Sequence, residues 1–136
     1  MDINELLQQG YRAQEEAALL FTAKSDEAAH CLNRIAVEKI FKAFHREIKG
    51  DVLVRLLYAF RSLAVSSFAT KRTEEGVLAL GTGLSYAAVG LKTWSDAPPL
   101  LEEYAVLQAL EKTVRGRLTV LIVEDVTDDW QWPFDD

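Results

Sequence analysis

The sequence predicts an all-α fold: a four- to five-helix antiparallel bundle or a small stack of helical hairpins, with a short irregular acidic and aromatic C-terminal tail. Apolar residues recur at spacings of three and four in five segments, which is typical of amphipathic helices. Capping residues, glycine or proline separate these segments, and none of the first five reads as a strand. With 136 residues, 49% of them apolar, the chain is long enough to bury one core. We therefore predict one helical domain over residues 1–126 and a tail over residues 127–136.

The first two helices are predicted from their capping residues. Residues 2–24 form the first helix, with Asp2 as its cap. Ser25 offers a new N-cap for the second helix, which is predicted to run to about Lys49. Gly50 follows it at the C′ position, where glycine adopts the left-handed conformation without strain. The apolar face of the second helix comprises Ala29, Leu32, Ile35, Ala36, Ile40, Phe41, Phe44 and Ile48.

The third and fourth helices are the most apolar. Residues 52–70 keep core spacing after an Asp51 cap, and Thr73 is predicted to cap the fourth helix. Its segment "GVLALGTGLSYAAVGL" is apolar nearly all round, which predicts the central helix of the bundle. Small side chains predict close approach of neighbouring helices, and they comprise Gly76, Gly81, Gly83, Ala87, Ala88 and Gly90.

The fifth helix begins at the two prolines of "WSDAPPL", which end the fourth helix and suit the first turn of a new one. Its apolar stripe extends across Gly116 into "LTVLIVEDV". This spacing favours a helix that continues or restarts to about Val126. A strand that pairs with the tail or with another molecule is the alternative, because one short apolar run does not separate the two.

Charge is unevenly distributed along the chain. Residues 1–33 carry a net charge of −4, residues 34–72 carry +6 and residues 73–136 carry −8. The basic residues of the second helix form one stripe, Lys39, Lys42, Arg46 and Lys49. A solvated helix face is the favoured interpretation, and contact with an anionic partner is the alternative. The overall acidity does not favour nucleic-acid binding.

The residues able to carry chemistry do not form a known constellation. Glu27 and His30 have the Glu-x-x-His spacing of ferritin-like di-iron sites, but no second pair accompanies them. His30 is therefore predicted to be a surface or partly packed side chain, and Cys31 to be buried and structural. Paired cysteines and a phosphate-binding loop are not found. We predict no enzyme activity, no cofactor and no metal.

The tail has the least ordinary composition in the chain. The residues singled out there are Asp128, Asp129, Trp130, Trp132, Phe134 and Asp136. Tryptophan is costly to leave in water, so we expect something to cover these rings. The tail either folds back on the bundle or forms a strip of aromatic anchors for a partner.

These features predict a non-enzymatic module that binds and masks another protein, one that presents a basic cleft. The profile (small, acidic, helical) is similar to that of bacterial immunity proteins and antitoxins. The alternative is a homodimer, an adaptor or a secretion or assembly chaperone, with its seam at Gly81, Gly83 and Ala87. The start of the chain lacks the pattern of a signal peptide, and no uninterrupted apolar run is long enough to span a bilayer. We therefore expect a cytoplasmic protein.

Overall fold

The computed structural model describes residues 1–117, which form five helices and no strand. The helices are α1 (Ile3–Thr22), α2 (Asp26–Arg46), α3 (Gly50–Ala69), α4 (Thr73–Thr93) and α5 (Pro98–Arg117). Connections of three or four residues join them, so consecutive helices run antiparallel. The predicted all-α antiparallel bundle is confirmed. The predicted helix end at Val126 and the boundary between residues 126 and 127 lie outside the described residues.

Helix α3 is the most enclosed element of the bundle. Every side chain from Val52 to Phe68 is buried or half-buried, because α2, α4 and α5 all pack against this helix. The sequence predicted α4 as the central helix, but Ala88 and Val89 of α4 are exposed. The apolar character of α4 instead reflects its position between α3 and α5, which cover two of its sides.

The small residues of α4 allow α3 and α5 to approach closely, as predicted. A β-carbon on Gly83 would lie 3.2 Å from Cβ of Phe60, and one on Gly76 would lie 2.7 Å from the Phe68 ring. A β-carbon on Gly90 would overlap the side chain of Leu53. The glycines therefore set the distance between α3 and α4.

Two lysines, not glycines, adopt the left-handed conformation between helices. Lys24 and Lys71 each have φ of 63°, and each is the second residue after the end of α1 or α3. The amide after each lysine donates back to the helix end, Ser25 N to Leu20 O and Arg72 N to Ser67 O. These bonds use carbonyls that lack partners within the helix, which offsets the strain of a positive φ.

Gly50 does not end α2, so its predicted role as a left-handed C′ residue is wrong. Helix α2 stops at Arg46, and Glu47 continues in an extended conformation. Gly50 is instead the first residue of α3, where a β-carbon would lie 3.3 Å from the indole ring of Trp94. Glycine is suited to this position because it lets the tryptophan ring cover the start of α3.

The predicted caps differ in their hydrogen bonds. Asp2 accepts from the backbone amide of Glu5 at 2.8 Å, so the cap of α1 is confirmed. Ser25 occupies the N-cap position of α2, but its side chain makes no capping hydrogen bond. Thr73 is the first helical residue of α4 rather than its cap, a position held by Arg72.

By length and composition, α3 is apolar enough to cross a membrane. More than half of that window is buried inside the bundle, as in the core helix of a globular domain. The length and composition of α3 are therefore only weak evidence that it spans a membrane.

Replacement of Gly90 by alanine should destabilise the bundle, because the new β-carbon overlaps Leu53 in the closed core. Overpacking costs about 1–3 kcal/mol, which exceeds the gain of roughly 1 kcal/mol in helix propensity. The measurement is the urea midpoint of unfolding followed by circular dichroism. Val89→Ala is the control, since Val89 is 60% exposed in the same turn. An unchanged midpoint for Gly90→Ala would contradict the close packing.

Candidate functional site

Within residues 1–117, one face of α3 is left open between α1 and α5. Helix α1 packs chiefly against α2, and α5 packs against α4 and α3, so neither covers this face completely. The open face runs along α3 as a stripe of half-buried residues, Val54, Arg55, Tyr58, Arg61, Ser62 and Val65. We call this channel the α3 groove.

Two cavities together make up the α3 groove. The first, of about 240 Å³, lies toward Phe21 and Val65, and the second, of about 290 Å³, lies toward Val54 and Glu103. Residues from α1 and α3 line both cavities: Gln14, Ala18 and Tyr58. The two cavities therefore form one elongated channel along α3.

The α3 groove holds a buried acceptor and a buried donor that have no partners within the described chain. Gln14 is 4% exposed, and its Nε2 donates to the backbone carbonyl of Arg55 at 3.4 Å. Its Oε1 and the Nε of Arg55 make no hydrogen bond there. The Arg55 guanidinium lies 4.1 Å from the centre of the Tyr11 ring, which fixes its position. Leaving such groups unpaired costs about 1–3 kcal/mol each.

An ion pair joins α3 to α5 across one edge of the groove. Arg61 donates to Glu103 through Nε at 3.2 Å and through Nη2 at 3.1 Å. The same guanidinium lies 4.6 Å from the centre of the Tyr58 ring. Because a two-pronged contact restricts both side chains, it sets the distance between α3 and α5 at this edge.

A second polar cluster lies inside the bundle, where α2 meets α3 and the start of α4. His30 is 2% exposed, and its Nδ1 lies 3.3 Å from Oγ of Ser66, which also accepts from Asn33 at 3.0 Å. Its Nε2 lies 2.9 Å from Oε1 of Glu75, poorly aligned for a hydrogen bond, so that contact is mainly electrostatic. The prediction of a surface or partly packed His30 is wrong, since the side chain is buried. Its contacts with Ser66 and Glu75 offset the cost of burying it.

The charges around His30 compete. Burial lowers the pKa of the His30 imidazole below its ordinary value, and the Glu75 carboxylate opposes this shift. The guanidinium groups of Arg72 and Arg34 lower that pKa further. The adjacent Ser66 is 1% exposed, so His30, Ser66 and Glu75 form a polar network inside the bundle.

His45 lies toward the other end of α2, within an aromatic cluster. Its Nε2 lies 2.7 Å from the hydroxyl of Tyr86, and its ring packs against Phe41 and Phe44. Burial raises the pKa of Tyr86 to about 12, so the phenol keeps its proton near neutral pH. His30 and His45 therefore belong to separate environments.

The predicted basic stripe comprises Lys39, Lys42, Arg46 and Lys49. Lys42 pairs with Glu38 at 3.2 Å, and Lys49 pairs with Glu47 at 2.9 Å. Arg46 donates to the backbone carbonyl of the first residue. Nearby acids thus offset part of the positive charge of the stripe, which supports its interpretation as a solvated face.

Several other predicted sites differ from their expected positions. Cys31 is exposed, so the prediction of a buried cysteine is wrong: it neighbours His30 but projects from another side of α2. Gly81, Gly83 and Ala87, the predicted seam of a possible dimer, are buried within the single chain. Within residues 1–117, no group of three or more His, Cys, Asp or Glu side chains is arranged to hold a metal ion. The six singled-out residues of the tail, residues 128–136, lie outside the described chain.

The described helices and the rest of the chain differ in net charge. Residues 1–117 contain all 15 basic side chains and an equal number of acidic ones, so their formal charge is zero. The whole net charge of −6 therefore belongs to residues 118–136, which have no lysine or arginine.

No protein-family model matches the sequence, and neither a curated protein nor a solved structure shows significant similarity to it. Function is therefore argued from the residues themselves.

The His30 cluster should make stability depend on pH. Because the folded-state pKa of His30 is depressed, the unfolded chain binds more protons below the ordinary value of 6.5. The free energy of unfolding should therefore fall as the pH drops from 7 to 5. In His30→Asn this slope should be smaller by up to about 1.4 kcal/mol per pH unit. Urea unfolding of the unaltered chain and of His30→Asn at each pH measures this slope, and His45 is present in both proteins. Equal slopes of unfolding free energy against pH in the two proteins would contradict the buried position of His30.

The exposed Cys31 should react with a thiol reagent in the folded protein. One equivalent per chain should be modified without denaturant, because the chain has one cysteine and it lies on the surface. Release of thionitrobenzoate from Ellman's reagent measures the reaction, and Cys31→Ser should give none. Reaction only after unfolding would show that Cys31 is covered in solution.

Proposed function

We propose that this protein is a non-enzymatic module that binds another protein and masks a basic surface on it. Its acidic and aromatic C-terminal segment makes the contact. The residues that carry this contact are Asp128, Asp129, Trp130, Trp132, Phe134 and Asp136.

The separation of charge along the chain carries the proposal. The 117 described residues are electrically neutral, while the following segment has six carboxylates and no cationic side chain. A charge difference of this kind is not needed to fold the helices, whose acids and bases are balanced. It suits a segment that meets a positively charged surface elsewhere.

Charge and aromatic character have different roles in such a contact. Carboxylates steer the encounter with a basic surface and raise the association rate, an effect that salt screens. Trp130, Trp132 and Phe134 supply affinity, since each aromatic side chain buries roughly 150–250 Å² of surface. A partner bound in this way has its basic cleft occupied and is thereby masked.

Full-length variants separate these two contributions. Asp128→Asn/Asp129→Asn/Asp136→Asn should slow association and weaken its dependence on salt. Trp130→Ala/Trp132→Ala/Phe134→Ala should weaken binding about tenfold or more, because buried aromatic anchors dominate interface energies. The immobilised chain captures partners from an extract of its native source, and mass spectrometry quantifies them at low and high salt.

A matched control uses the basic stripe of α2. Lys39→Gln/Lys42→Gln changes the charge of the folded surface by a similar amount without altering the C-terminal segment. It should capture the same partner as the unaltered chain. The proposal fails if both C-terminal variants retain that partner at full yield, or if the control alone loses it.

A further inference from the structure

We propose that the outward side of α5 is an interaction surface whose partner is a second copy of this chain, packed antiparallel about a two-fold axis. This surface consists of the exposed residues of α5 between Leu101 and Thr113, and we call it the α5 face. The proposal goes beyond the role proposed for the C-terminal segment and does not rest on it.

The α5 face carries apolar side chains that the bundle does not cover. Helix α5 packs chiefly against α4 and α3, so its opposite side is turned outward. Between residues 98 and 115, only Leu100 and Leu107 are buried. Leu101 and Val106 are 46% and 42% exposed. Large apolar side chains grouped on an outward face are typical of a surface that contacts another protein.

The charges of the α5 face complement one another across a two-fold axis. In a two-fold interface, a residue that contacts a second residue in the other copy is matched by the reverse contact. Glu102 and Lys112 each lie five residues from Leu107, on opposite sides of it. An antiparallel copy centred at Leu107 therefore brings Glu102 to the level of Lys112 of the second copy, and each dimer contains two such pairs. Because the other exposed residues of the face are uncharged, the face is neutral.

The side chains at the centre of the α5 face permit close contact. Ala105 and Ala109 are exposed, and each lies two residues from Leu107, so they meet one another in the antiparallel pair. Small side chains let two helix axes approach to about 8 Å, the short end of the usual range. Leu101 and Val106 flank the alanines and become covered at this distance.

A second copy suits the α5 face better than the chain's own C-terminal segment does. Residues 118–136 contain no lysine or arginine, so they offer no cation to Glu102. A basic partner surface would place like charge beside Lys112. A second copy supplies both charges at the matching spacing, which is the argument that assigns it to this face.

Sedimentation equilibrium of the full chain tests for the dimer. The α5 face is small beside the 20–30 residues per side of a standard interface, so we expect weak association, with a Kd of roughly 10–500 µM. The weight-average mass should rise from 15.3 kDa toward twice that value as the protein concentration increases through this range. A monomer at all of these concentrations would overturn the proposal, and it is the result expected if the face is solvated or covered by the C-terminal segment.

Reversal of the two charges locates the interface. Glu102→Lys and Lys112→Glu should each weaken dimerisation about tenfold or more, because each makes both pairs in the dimer repulsive. An equimolar mixture of the two variants should dimerise about as well as the unaltered chain, since every pair then joins opposite charges. The double variant Glu102→Lys/Lys112→Glu should do the same. Low salt is used because salt screens exposed pairs.

Glu16→Lys is the matched control. It reverses an exposed acid on α1, which packs chiefly against α2, and should leave the dimer unchanged. The proposal is wrong if either single variant dimerises like the unaltered chain, if their mixture stays monomeric, or if the control also loses the dimer. None of these variants alters residues 118–136, so failure here leaves the proposed role of the C-terminal segment untouched.

Discussion

Burial of α3 is the constraint on which the rest of the bundle depends. This helix carries large apolar side chains around most of its circumference, and each fully buried leucine or phenylalanine contributes about 1.5–3 kcal/mol. Three helices must therefore pack closely against it. The glycines of α4 allow that helix to approach so closely that an added β-carbon would crowd or overlap side chains of α3. The one stripe of α3 that is not fully covered carries arginine, tyrosine and serine, so the same constraint explains where the groove lies.

The positions of the helices could be predicted from residue spacing and capping. The buried face of a helix recurs every three to four residues, whichever other helices pack against it. The junctions could not be predicted in the same way: Lys24 and Lys71 adopt a left-handed conformation that glycine usually takes, and Gly50 is placed by its contact with Trp94. His30 was predicted to be a surface or partly packed side chain, although it lies seven residues before the buried Val37, on the same face of α2. Asn33, seven residues before the buried Ile40, was not singled out in the sequence.

Gln14 was overlooked in the same way. It lies four residues after Gly10 and three before Ala17, both buried, so its position on α1 indicated burial while its polar side chain did not. Its partner Arg55 is distant in sequence and is recognised only once α1 lies beside α3. A polar residue in register with an apolar stripe is thus the sequence signal for both polar clusters. The tail was singled out by composition alone, and its predicted role stays a prediction.

The placement of α1 at the edge of the bundle has a consequence for motion. Its main packing partner is α2, and its contacts with α3 are few, although Leu7 and Tyr11 pack against the main core. Sub-global opening involves elements with few buried contacts to the rest of a protein, and hydrogen exchange reports it as amides that are protected less than the core. Here the element at the edge is also one wall of the α3 groove. The width of that groove is therefore governed by the local stability of a single helical hairpin rather than by the stability of the whole domain.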